Sequence, residues 1–257
     1  MCPDEYRPLV EKTIIHPNGS NDVSNQVSID SQTFSIGSFS IPVGSSLRST
    51  TSESNSYIIQ AHSTLLNFQR VLRAMQLSRP ILLEGPPGVG KTSLISNLAR
   101  LSGHKLVRIN LSEHSEISDL IGSDLPSSNS NPSSNSGDDA GAKFKWCDGV
   151  FLTALKNGDW VLLDELNLAP QSVLEGLNAC FDHRNEVFIS ELGQTISCPP
   201  TFRVFCAQNP MAEGGGRKGL PQSFLTRFSR VYIESMTSDD LILITQQAYQ
   251  SKLSSQV

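Results

Sequence analysis

Apolar residues along this chain fall into two kinds of block separated by turn-forming segments. Ile81-Leu82-Leu83, Leu106-Val107-Arg108-Ile109-Asn110, Trp160-Val161-Leu162-Leu163 and Phe202–Gln208 are short runs with little polar interruption, as in strands covered on both faces. Ser229–Glu234 adds a fifth. Between them the apolar positions take helical spacing. Leu65, Leu66, Phe68, Val71, Leu72 and Met75 predict a helix over Ser63–Leu77, and a second runs from Lys91 to Leu101 with Gly103 to end it. Asp148-Gly149 and Gly158-Asp159 bracket a short helix, while Gln171–Asp182 and Leu220–Arg227 read as two more. A helical or turn segment is expected around Ile117–Gly122, and a hairpin over Glu186–Ile196 turning near Leu192-Gly193. Strands alternating with helices predict an α/β class, a three-layer αβα sandwich around a parallel five-stranded sheet.

The polar stretches set the domain limits. Residues 1–56 are rich in Ser, Thr and Asn and read as a linker, with alternation at Thr33–Ile41 sufficient for a short strand or hairpin. The core is expected over residues 57–235. Within it, Ser123–Gly141 is low-complexity and reads as a disordered surface insertion, and Gly214-Gly215-Gly216 as a flexible loop. Residues 236–257 begin a helix, over Asp239–Lys252, of a small helical lid that is largely missing.

Composition narrows the function. A net charge of −5 and a pI near 5.5 argue against nucleic-acid binding through the whole surface. No apolar run is long enough to cross a bilayer, and the first residues lack the basic and apolar segments of a secretory signal. Five cysteines, an odd number without C-x-x-C spacing, read as reduced thiols rather than a metal site.

The chemistry concentrates at strand ends. Gly85-Pro86-Pro87-Gly88-Val89-Gly90-Lys91-Thr92, followed by Ser93, reads G-x-x-x-x-G-K-T directly behind a strand and in front of a helix. Glycines let backbone N–H groups face an anion, Lys91 adds a point charge for the β- and γ-phosphates, and the Thr92 hydroxyl can join Mg²⁺ coordination. ATP and Mg²⁺ are therefore the expected cofactors. Asp164 ends the third strand and can hold the metal; Glu165 projects differently and can polarise a water for attack on the γ-phosphate. The alternative for this pair is capping of the helix that follows. Asn209 is placed to bond the γ-phosphate or the attacking water, or else forms a turn before Pro210. Asn110 can hold the Glu165 side chain away from water, or is a local turn former. Arg227 is either an arginine supplied to a neighbour's phosphate or a solvated cation, in competition with Arg217, Lys218 and Arg230.

With these motifs in hand, the chain resembles AAA+ ATPases of the dynein-related group, and more narrowly a single module of the midasin family. The resemblance runs from about Thr33 to Asp240. It rests on the Arg70–Leu77 segment, Ile81–Gly85, Leu106–Glu113, Asp119–Pro126, Trp160–Ala169, Ser172–Cys180, Ala207–Pro210 and Gly214–Pro221. The resemblance implies Walker A at Gly85–Thr92, Walker B at Asp164-Glu165, sensor 1 at Asn209, a polar switch residue at Asn110 and an arginine finger at Arg227. It implies neighbouring AAA+ modules in a hexameric ring, precursors of the large ribosomal subunit with their assembly factors as partners, and residence in the nucleus. Because one module is present and the lid stops short, a piece of a longer chain is expected. Rival readings are a nucleotide-dependent structural module with little turnover, a MoxR-like chaperone ATPase, and a dynein motor module. A helicase or clamp loader fits poorly with the acidic balance, and no membrane or direct sequence-specific nucleic-acid contact is expected.

Overall fold

The structure, a computed structural model, describes residues 27–30, 32–45, 61–126, 144–181, 186–189, 193–210 and 219–254. The expectations for residues 1–26 and 46–56 of the linker, residues 127–141 of the insertion, Leu192 in the hairpin turn, the Gly214–Gly216 loop, Arg217 and Lys218 lie outside them. The chain opens with β1 (Val27–Ile29), β2 (Thr33–Ile36) and β3 (Phe39–Pro42), an antiparallel three-stranded sheet. After α1 (His62–Met75) come β4 (Ile81–Glu84), α2 (Lys91–Ser102), β5 (Leu106–Asn110) and α3 (Ile117–Ile121). A ribbon of β6 (Gly122–Pro126) and β7 (Phe144–Asp148) leads to α4 (Val150–Asn157), β8 (Trp160–Asp164) and α5 (Gln171–Asn178). The hairpin β9 (Glu186–Ile189) and β10 (Gln194–Ser197) precedes β11 (Arg203–Gln208), α6 (Gln222–Leu225), β12 (Ser229–Tyr232) and α7 (Ser238–Ser254).

Five strands make the central sheet in the order β12-β4-β11-β8-β5, every neighbouring pair parallel. The near-continuous apolar runs are explained by cover on both faces. Leu82, Val161, Leu163, Val204 and Cys206 face α3, α4 and α5; Ile81, Leu83, Trp160, Leu162, Phe205 and Ala207 face α1 and α2. The first core holds three mutually packed rings, Phe181, Phe224 and Phe228, with centroids 5.1–5.4 Å apart. The second takes in Phe34 and Ile36 of β2, both fully buried, so the N-terminal sheet shares a core with the sandwich. Each such side chain contributes about 1.5–3 kcal/mol of burial. Burial also pushes the Cys180 thiol up to about 12, as suits an inert core residue.

Three elements differ from expectation. The helix predicted over Leu220–Arg227 contracts to Gln222–Leu225, because Pro221 sits extended at its start and disfavours helix in the residue before it. The helix from Gln171 tightens into a 3₁₀ turn at Ala179–Phe181. The polar insertion begins later than its composition suggests: Ser123 to Pro126 are ladder residues, with Ser123 opposite Cys147 and Pro126 opposite Phe144. That pairing closes across the insertion, where local polarity carries no sign of it.

Candidate nucleotide-binding site

The turn after β4 is built from backbone that side-chain-bearing residues avoid. Gly88 and Gly90 have φ of 77° and 85°, and a Cβ on Gly85 would stand 2.7 Å from the Ile233 carbonyl oxygen. Helix α2 starts at Lys91, so its positive end faces the loop. Lys91 is only 8% exposed. Its ammonium donates to the carbonyls of Gly85 (2.8 Å) and Pro86 (2.9 Å) and to Oδ1 of Asn209 (2.7 Å). Three acceptors match its three protons, which is what a buried ammonium requires.

Asn209 is thereby oriented. Its oxygen faces the ammonium, and its Nδ2 donates to Glu165 Oε1 at 2.9 Å. The opposite amide orientation would set donor against donor and acceptor against acceptor. Asn167 supports the same loop by donating to the Asn209 carbonyl at 3.1 Å. Glu165 itself has φ 56° and ψ 44°, the one described residue other than glycine with a positive φ. That conformation costs about 1–2 kcal/mol and turns the side chain off the line of β8. Its second oxygen, Oε2, is buried and has no hydrogen-bond partner among the described residues. Glu165 stands at the N-cap of the short turn that follows and makes no side-chain cap bond to it.

Asp164, 7% exposed, faces the other way. Its Oδ2 accepts from Thr92 Oγ1 at 2.8 Å and from the Arg108 guanidinium at 2.7 Å. Oδ1 accepts the Glu165 N–H at 3.2 Å. A hydroxyl and a carboxylate brought together at the head of a phosphate loop are a hard-oxygen donor pair of the kind magnesium takes. The residues present thus fit a triphosphate and its metal: the loop glycines and Lys91 for phosphate, Thr92 and Asp164 for the ion. Ser93 is exposed in the first turn of α2.

Of the residues chosen from sequence, the structure brings together the Gly85–Thr92 loop, Asp164, Glu165 and Asn209. Two stand apart. Asn110 lies opposite Asp164 in the β5–β8 register and is exposed; the amide that holds Glu165 is that of Asn209. Arg227 is half-buried and donates to the Asn178 carbonyl at 3.3 Å. Its competitor Arg230 pairs with Glu84 at 2.9 Å. Sequence reading missed Arg108, Asn167 and the Gln208–Glu84 bond of 2.8 Å that ties two central strand ends together. Arg108 had a signal: it lies two residues before Asn110 on the same face of β5.

A parallel sheet whose glycine loop, acidic strand end and polar strand end converge at one edge defines a P-loop nucleotide-binding domain. Residues 80–228 match the family described as AAA domain (dynein-related subfamily), and the chain belongs to that family. Within it, the chain is similar to midasin. It is 52% identical to midasin of Dictyostelium discoideum over 90% of its length, and 50% identical to midasin of Giardia intestinalis over 72%. It spans 4% of the length of each. An uncharacterized protein of Staphylococcus saprophyticus, SSP1341, is 28% identical over 79% of this chain and 72% of its own length.

Proposed function

We propose that the chain binds ATP with Mg²⁺ and hydrolyses it, with Glu165 as the base that activates water. The observation carrying this reading is the fixed asymmetry of Glu165: Oε1 tied to Asn209, Oε2 buried, without a partner among the described residues, and held by a strained backbone. An oxygen so placed accepts the proton of an attacking water. Lys91 and the loop N–H groups position the phosphates, Thr92 and Asp164 hold the ion, and Asn209 couples the lysine to the base. Bound magnesium supplies charge neutralisation on the phosphate oxygens.

Arg227 acts on the phosphate of an adjacent module, since its own contacts run to α5. In this reading the domain works in a ring of AAA+ modules. Its similarity to midasin supports a role in remodelling precursors of the large ribosomal subunit, in the nucleus.

The test pairs two variants. Glu165→Gln keeps ATP binding and loses turnover by a factor on the order of 10²–10⁴; Lys91→Ala loses binding. Turnover of Glu165→Gln at the parent rate removes the base assignment. Specific activity of the parent chain rises when copies are forced together; full activity independent of concentration removes the role of Arg227 in trans. Cells carrying Glu165→Gln accumulate unprocessed large-subunit precursors, and a normal precursor profile removes the ribosomal reading.

A further inference from the structure

Among the described residues, strand β12 pairs with no strand but β4 and its other edge faces no ladder partner. The N–H groups of Ser229 and Ile233 reach the carbonyls of Pro80 (2.9 Å) and Glu84 (2.8 Å). By the two-residue period Val231 also faces inward, and the backbones of Arg230, Tyr232 and Glu234 face outward. Helix α1 caps the far end of that row. Asn67 takes both the N–H (3.2 Å) and the carbonyl (3.1 Å) of Glu234, and Arg70 reaches the Tyr232 carbonyl at 3.4 Å. The N–H and C=O of Arg230 and the N–H of Tyr232 keep no partner among the described residues, enough for one short stretch of ladder.

Along this edge runs a groove of about 600 Å³ between β12 and α1, lined by four arginines and one glutamate. Arg70 pairs with Glu234 at 2.6 Å and Arg230 with Glu84 at 2.9 Å. Arg73 and Arg79 have no acidic partner among the described residues. Leu77 and Tyr232, 55% and 57% exposed, supply apolar surface beside them. Positive charge gathered here, on a chain of net charge −5, is local rather than general. We propose that the groove docks an extended acidic peptide segment of a partner protein. The segment adds to the outer edge of β12, its carboxylates on Arg73 and Arg79 and an apolar side chain against Leu77 and Tyr232. A peptide backbone offers donors as well as acceptors to this edge, whereas a phosphodiester offers acceptors alone and leaves the Arg230 carbonyl unmatched, which favours peptide over nucleic acid.

The probe is a fluorescein-labelled, strand-length peptide of alternating glutamate and valine, titrated with the full 257-residue chain by fluorescence polarisation. Binding weakens with salt. The double variant Arg73→Glu, Arg79→Glu lowers affinity by at least about tenfold, with an unchanged thermal melt. Tyr232→Pro removes one outward N–H without touching the ladder to β4 and lowers affinity several-fold. Three results overturn the proposal: no binding of the peptide, equal affinity in the charge-reversed variant, or a uridine oligonucleotide binding more tightly through the same arginines.

Discussion

At the carboxyl edge of the sheet, the central strands and the outer strands treat their polar residues in opposite ways. Around the ends of β4, β8 and β11, Lys91, Asp164, Glu165 and Asn209 are linked by hydrogen bonds, with three of the four less than a tenth exposed. The last residues of the outer strands β5 and β12, Asn110 and Tyr232, are exposed. A strand with neighbours on both sides must satisfy its polar ends from within, because an unpaired buried group costs about 1–3 kcal/mol. An outer strand can leave such groups to water, or send a long side chain inward, as Arg108 does to Asp164 and Arg230 to Glu84. On the proposed reading, chemistry gathers in the centre and recognition falls to the margins.

Two asparagines at strand ends give the sharpest contrast. Asn209→Ala strips a partner from both the Lys91 ammonium and the Glu165 carboxylate, so turnover falls by about a hundredfold, or roughly 2.7 kcal/mol of barrier. Asn110→Ala changes turnover by no more than a few-fold. Steady-state ATPase rates of the two variants decide the matter. Equal losses would mean that Asn110 reaches the site during turnover and that the linked central set is only one of its states.

The central contrast was legible in the sequence because motif and strand coincide there. Ile81–Leu83 announces a buried strand and Gly85–Thr92 announces what it carries; Trp160–Leu163 does the same for Asp164-Glu165. Asn209 was legible only as a position, since its second use, holding Glu165, depends on the backbone of Glu165 turning left-handed. No residue pattern signals that turn. The β6–β7 ribbon was hidden because its two strands flank a polar insertion, and Arg108 because one arginine in a strand is ordinarily a solvated side chain.

Asp240 shows the same limit at the margin of the fold. Helix α1 begins at Ala61, which has no capping side chain, so its first N–H groups look unsatisfied from sequence. The cap comes from Asp240. Its carboxylate accepts the N–H groups of His62 and Ser63 (2.9 and 3.2 Å) and the Ser63 hydroxyl (2.5 Å), while the Thr237 hydroxyl donates to it at 2.9 Å and accepts the Asp240 N–H at 3.3 Å. Chiefly through the Ser63 hydroxyl, its carboxyl is held down at about 2. A depressed carboxyl contributes stability above its unfolded value of about 3.9 and loses it as pH falls toward the folded value. Asp240→Ala therefore lowers unfolding free energy at pH 7 by about 1–2 kcal/mol, and the gap to the parent narrows between pH 4 and pH 2. Urea melts across that range measure it; a gap constant with pH would show that Asp240 contributes through packing alone.

Arg108 is the smallest test and the one most specific to the margin. Its guanidinium lies 2.7 Å from Asp164 Oδ2, inside the site, yet its side chain is 57% exposed. Water screens the pair, so Arg108→Ala changes stability by less than about 1 kcal/mol. Its effect appears where Oδ2 is shared: the same oxygen that accepts from Arg108 also accepts from Thr92 and is the one proposed to hold magnesium. Removing the guanidinium leaves that oxygen more available and lowers the magnesium concentration needed for half-maximal nucleotide binding, by about two- to fivefold. Titration of magnesium against a fluorescent ATP analogue reads this directly, apart from turnover. If the midpoint rises instead, Arg108 helps to hold the phosphates, and the outer strand β5 belongs to the central set after all.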